Sequence, residues 1–512
     1  MKQFPTLTLA LAAIPFAEPS ACRPPRWTVG QTVQTTSGPV EGHAASVASG
    51  VSEYLGIPYA QPPVGSLRFR PPVRYNGTKK IDGKNFGPAC IPSNISAFDG
   101  DYEQSGLAEK YGITDVGLRI LKSIMNPEIP VSEDCLTLNI WTKPQTGEKR
   151  KAVMVWVHGG SFVSGSSAVP AYNGQFFADQ EDVVLVSINY RLSIFGFPGN
   201  PHAPQNLGLL DQRLAVEWVR DNIASFGGDP SRITLFGESA GGASVDHYSF
   251  AWASDPIVAG LIAMSGTREG ITPQTASDAA TLWYNTTTAL GCGNASTPPT
   301  HLLSCMQSVS PAAILATLVN TIVSPTRMPY SPSIDNTLVF AAPSSHPVAP
   351  VPLLIGTTDA ESALFRVFVP GPDSDAFWAN QTAVEFTCPA ARRALRSAVA
   401  DGQPTWRYRW MGVFPNTELG RTPPTGAYHD SETAVLFGNV DQSVVRNTKE
   451  EARVGRWMRG AWAAFARDPE RGLEKIGWPR YGGKGKTLAR IGWENRTVSL
   501  VRGDAYDAGC LI

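Results

Sequence analysis

Gly237-Glu238-Ser239-Ala240-Gly241-Gly242 sets a serine between glycines two residues before it and two after it. A serine so placed can act as a nucleophile if the chain turns sharply and presents its hydroxyl. The flanking residues predict that turn: Ile233-Thr234-Leu235-Phe236 reads as a short buried strand aimed into Gly237, and 240–250 reads as a helix. Such a turn forces strain on the serine backbone and sets the positive end of the helix beneath a charge developing on attack. A second segment, His158-Gly159-Gly160-Ser161-Phe162, follows the β-rich run Lys151–Val157. Small residues let backbone N–H groups close on an oxyanion, so Gly160, Ser161 and Ala240 are the expected donors. Together these parts suit acyl transfer.

A serine hydroxyl is a poor nucleophile until a histidine takes its proton, and that histidine needs a carboxylate to hold its tautomer. The chain has seven histidines. His158 belongs to the donor loop, and His247, on the helix after the serine, reads as packing or facing solvent. For the carboxylate, Leu353-Leu354-Ile355-Gly356 is a strand end followed by both Asp359 and Glu361. Residue types alone leave base and acid open.

The elements that must position these groups alternate. The run 182–188 is apolar enough for burial on both faces, and 209–224 repeats apolar residues at helical spacing until Gly227-Gly228-Asp229-Pro230 stops it. This predicts an α/β fold with a mostly parallel, doubly wound sheet, helices on both faces and reactive groups at the C-terminal strand ends.

The 512 residues show no internal repeat and no linker, and 42% are hydrophobic, enough for a large core. Lys plus Arg (43) balances Asp plus Glu (44), which argues against nucleic acid or an anionic membrane as partner. Met1-Lys2 and the apolar run after them predict a secretory leader over 1–21, with a single mature domain at 22–512. No later run reaches the roughly 18 apolar residues of a membrane span. Asn-x-Ser/Thr acceptors at Asn76, Asn94, Asn285, Asn294, Asn380 and Asn495 agree with export to the extracellular space. The seven cysteines lack metal-ligand spacing, so disulfides with one odd thiol are expected, and neither a metal nor an organic cofactor.

Further segments carry a family resemblance: Gly56-Ile57-Pro58-Tyr59-Ala60, Leu67-Arg68-Phe69, Ser132-Glu133-Asp134-Cys135 through Trp141, Asn189-Tyr190-Arg191, and Phe195-Gly196-Phe197. With the serine and donor loops, they make nearly the whole mature chain similar to the type-B carboxylesterase/lipase family, which includes cholinesterases and large microbial lipases. The resemblance implies an α/β-hydrolase fold and hydrolysis of a carboxylic ester, with an apolar substrate. It selects His429, in Gly426-Ala427-Tyr428-His429-Asp430-Ser431-Glu432, as base, and Glu361, five residues beyond Gly356, as acid over Asp359. Glu238 and Glu432 become supporting acids, while Ser362 departs from the glycine usual after the acid. The resemblance pairs Cys90 with Cys135, Cys292 with Cys305, and Cys388 with Cys510.

The loop 90–135 is the lid region in that family. Its stretch 111–125 has the pattern of an amphipathic helix, either packed permanently on the body or moving aside for apolar substrate as in lipases and sterol esterases. A cholinesterase activity fits poorly, because Met125 stands where choline-cleaving relatives place a cation-binding tryptophan. Some relatives are non-catalytic adhesion proteins that lost the serine or the histidine; both residues are present here.

Overall fold

The computed structural model describes Met1 and residues 27–93, 106–125, 128–144, 150–318, 328–367 and 371–511. The leader expected over 1–21, apart from Met1, and Cys22, Asn94, Asn126 and Pro127 lie outside the described residues, as does the side chain of Met125.

Lys151–Val157 shows why the sheet is central. Val153, Val155 and Val157 pack into one apolar cluster while Met154 and Trp156 pack into another, so alternate residues are buried on opposite faces. Eleven strands form the sheet: β1 (His43–Ala44), β2 (Ser52–Pro58), β3 (Thr137–Thr142), β4 (Lys151–Val157), β5 (Val184–Ile188), β6 (Gly228–Glu238), β7 (Gly260–Met264), β8 (Leu353–Thr358), β9 (Thr405–Trp410), β10 (Lys486–Ile491) and β11 (Val498–Arg502). Their spatial order is β11-β10-β9-β8-β7-β6-β4-β5-β3-β2-β1. The pairs from β5 through β4 and β6 to β10 are parallel, and antiparallel strands close both edges.

The helices that matter below are α1 (Asp115–Met125), α2 (Leu207–Asn222), α3 (Ala240–Ala251), α4 (Ser362–Phe365), α5 (Thr433–Phe437) and α6 (Lys449–Arg467). Because β5 pairs on one side of β4 and β6 on the other, the chain reverses its direction across the sheet at β4. Parallel α/β sheets bind ligands at such a switch point, beyond the C-terminal strand ends.

Several boundaries shift by one or two residues from those read in the sequence, and two shift further. The strand before the serine starts at Gly228, not Ile233, because Gly228 pairs with Lys151 before the register shifts around Pro230, which has no N–H to give the ladder. The lid helix starts at Asp115, not residue 111, because the Thr114 Oγ1 accepts the Gly117 N–H at 2.8 Å and caps it there. All three disulfides implied by the resemblance form, with Cα–Cα separations of 5.0, 5.6 and 5.2 Å. No helix among the described residues is long and apolar enough to cross a membrane.

Candidate active site

Ser239 stands between the end of β6 and the start of α3 with φ 57° and ψ −122°, outside the region L-residues favour. The turn can be this tight because Gly241 has no side chain: a Cβ there would lie 2.0 Å from the Val157 carbonyl oxygen. The Ser239 N–H is tied to the Met264 oxygen of β7 at 2.9 Å, so neighbouring strands fix the strained residue.

Gly237 of β6 pairs with Val157 of β4, which places the loop after β4 beside the serine. In that loop Gly160, Ser161 and Phe162 all have positive φ, and the Gly160 oxygen accepts N–H groups from Val163 and Ser164 at 3.0 and 2.9 Å. Phe162 is the loop's anchor, fully buried with its ring edge against Phe197. His158 stacks on Tyr190 and is held neutral by burial, which pulls its pKa down to about 4. Ala240 opens α3, so its N–H has no acceptor within the helix.

His429 lies in a segment that pairs with the residues just after β8: the Ala360 N–H donates to the Ala427 oxygen at 2.9 Å and the His429 N–H to the Glu361 oxygen at 3.3 Å. This brings His429 Nδ1 to 2.6 Å from Glu361 Oε2, while Glu361 Oε1 accepts the Thr358 N–H at 2.8 Å. The competing acid turns away, since Asp359 pairs with Arg409 at 2.6 Å and its side chain is 40% exposed. Ser239, His429, Glu238, Gly160 and Ser161 line one cavity, closed by Ile124 of α1 and by Leu364 and Phe365 of α4. His429 Nε2 carries no hydrogen bond, and Glu238 Oε1 is 3.2 Å from it. Among the other histidines, His247 is buried in α3 and kept neutral by that burial, which agrees with a packing role.

Two rings of the site have no motif to announce them. The rings of Phe365 and Phe386 sit 4.9 and 5.0 Å from the His429 ring and screen it from water. Asp430 has a φ of 71° and a carboxyl that burial pushes up to about 6.

Glu238 and Glu432 are fully enclosed, and burial, with neighbouring carboxyls, holds both well above the usual carboxylate range. For a raised acid, the folded state binds protons that the unfolded state has released, so stability falls as pH rises through that window. Glu432→Gln is therefore expected to raise Tm at pH 8 by on the order of 2 °C relative to the wild type, a gain that shrinks toward pH 5. Calorimetry across that range checks it; a difference independent of pH contradicts the buried-carboxyl account.

A mostly parallel sheet with a strained strand-to-helix turn and a glycine loop at its switch point is the α/β-hydrolase fold. The family model described as the carboxylesterase family matches residues 29–377. Relatives include a chlorogenic acid esterase of Aspergillus niger, 35% identical over 87% of this chain and 84% of that protein, and secreted lipase 5 of Gibberella zeae, 33% identical over 92% of each. An acetylcholinesterase of Bungarus fasciatus is 30% identical over 88% of this chain and 80% of its own length. The chain belongs to the carboxylesterase family and is, at that level, a carboxylic ester hydrolase.

Proposed function

We propose that the chain is a secreted serine esterase that cleaves apolar carboxylic esters through an acyl-enzyme, with Ser239 as nucleophile, His429 as general base and Glu361 as the acid that orients it. The observation that carries this reading is the 2.6 Å contact of Glu361 with His429, which lines the same cavity as Ser239.

The chemistry follows from the geometry. Glu361 accepts the Nδ1 proton, which leaves Nε2 free to take the serine proton as the hydroxyl attacks the ester carbonyl. The resulting oxyanion is held by the N–H groups of Gly160, Ser161 and Ala240, each such donor lowering the barrier by roughly 3 kcal/mol. His429 returns the proton to the departing alcohol, and water then deacylates the enzyme by the same route.

Export is supported by the apolar N-terminus, three disulfides and exposed acceptors at Asn76, Asn285, Asn294, Asn380 and Asn495, which would carry glycans.

One observation favours a lipase-like second reading. Leu118, Ile120 and Leu121 of α1 pack against the cluster containing Leu364, Phe365 and Trp378, and Ile124 walls the cavity, so displacing α1 would open an apolar entrance.

Hydrolysis of p-nitrophenyl esters from acetyl to palmitoyl, with and without micelles, tests both, with chlorogenic acid added because one relative is named for it. Turnover is expected on at least the short esters, and a long-chain rate that rises on micelles supports the lid. Equal rates on soluble and micellar esters remove the lid reading, and no turnover on any ester removes the apolar-ester assignment.

A further inference from the structure

Arg459, in the middle of α6, is 4% exposed. Its Nη1 donates to the Leu436 oxygen of α5 at 2.7 Å and its Nη2 to Gln180 Oε1 at 2.8 Å, but its buried Nε donates to nothing. Among the described residues no Asp or Glu pairs with it, and nearby Glu181 is engaged by Arg467 at 3.6 Å. Burial lowers its pKa only to about 10, so the guanidinium stays charged at neutral pH. The Glu181 carboxylate lies near enough to favour the cation but makes no hydrogen bond to it, so the buried Nε is a charged donor left without an acceptor, which is costly.

The space beside Arg459 can hold one. A cavity of about 150 Å³ is lined by Arg459, Arg456, Gln180, Asn447 and Glu451, with Val435 of α5 and Gly438 just after it on its wall. Glu451 does not fill the role: its Oε2 accepts the Thr448 N–H and its carboxyl is engaged with the Asn416 side chain, while burial raises its pKa. The amide groups of Gln180 and Asn447 add neutral donors to the wall. Two guanidinium groups and several neutral donors around one small polar space recognise a compact negative charge.

We propose that this cavity is an anion site, taking a small oxyanion of phosphate or short-carboxylate size against Arg459 Nε, with Arg456 at its mouth. It is separate from the ester-binding cavity, and its occupant braces α5, the helix that follows the His429 loop.

The test is calorimetry of the full chain titrated with sodium phosphate or sodium acetate, with sodium chloride matching the ionic strength. A saturable rise in Tm of about 3 °C is expected with one or both. Phosphate alone acting identifies an inorganic oxyanion, and acetate acting identifies a carboxylate. Arg459→Met is expected to lose the response while still hydrolysing p-nitrophenyl acetate, which shows that it folds. The exposed Arg456→Gln, a second variant whose folding does not depend on the site, is expected to weaken the response several-fold. The proposal is overturned by no rise with either salt, by a rise that never saturates, or by an equal rise in both variants.

Discussion

Ser239→Ala is expected to lower kcat for p-nitrophenyl acetate by about 10⁶-fold, His429→Ala by a similar factor, and the double variant no further. The equality follows from how the parts act. Without His429 the hydroxyl keeps its proton, and without the hydroxyl His429 has nothing to activate, so either loss removes the same step. Residual turnover of roughly 10³-fold over water would come from the N–H groups of the 158–162 loop and from α3, which the substitutions leave in place. Ser239 already tolerates its φ of 57° through the tie to Met264, and alanine keeps that backbone bond, so the Tm of Ser239→Ala should stay near the wild-type value. Independent, multiplying losses in the double variant would show that the two residues do not work on one proton.

The second large effect separates two carboxylates only two residues apart. Glu361→Gln is expected to cost about 10⁴-fold in kcat, whereas Asp359→Asn changes it by no more than a few-fold. The Thr358 N–H demands an oxygen at the Oε1 position, so a glutamine must turn its NH₂ toward His429 Nδ1. Nδ1 then becomes the acceptor and the ring proton moves to Nε2, the nitrogen that has to receive the serine proton. Asp359 lies outside that network, paired to Arg409 and partly in water, where an ion pair contributes little. Steady-state kinetics of both variants checks this, and comparable losses would reassign the acid.

The contrast between these acids also shows what the sequence could and could not reveal. Strands β4 and β5 and helices α2 and α3 were legible because burial on one or both faces dictates where apolar residues recur. Ser239 and the glycine loop were legible because a tight turn and a close backbone approach tolerate few residue types. Several of the segments that carried the resemblance prove to be halves of contacts: Arg68 binds Glu133 through two bonds of 2.5 and 2.6 Å, and Arg191 grips Asp211 within the core at 2.7–2.8 Å. Such pairs restrict both partners, so they leave a trace in each segment.

Glu361 and Asp359 could not be separated from residue type alone, because the choice is made by a pairing of Ala360 with Ala427 across distant parts of the chain. Phe365 and Phe386 carried no signal for a related reason: a ring packed on a histidine is, in sequence, any apolar residue in a helix or loop. The early start of β6 was hidden by Gly228 and Pro230, which read as a stop and are used as an irregular strand entry. The cavity at Arg459 was equally silent, since one arginine within an amphipathic helix gives no sign that it faces inward.

The account's central claim is that the ester's acyl group is carried on one particular oxygen, and acid-quench trapping tests this most directly. The enzyme is mixed with excess p-nitrophenyl ester, stopped within one turnover, digested and mapped by mass spectrometry. The account predicts an acyl adduct on the peptide containing Ser239, absent in Ser239→Ala. An adduct on another residue, or steady turnover by Ser239→Ala at the wild-type rate, would contradict it.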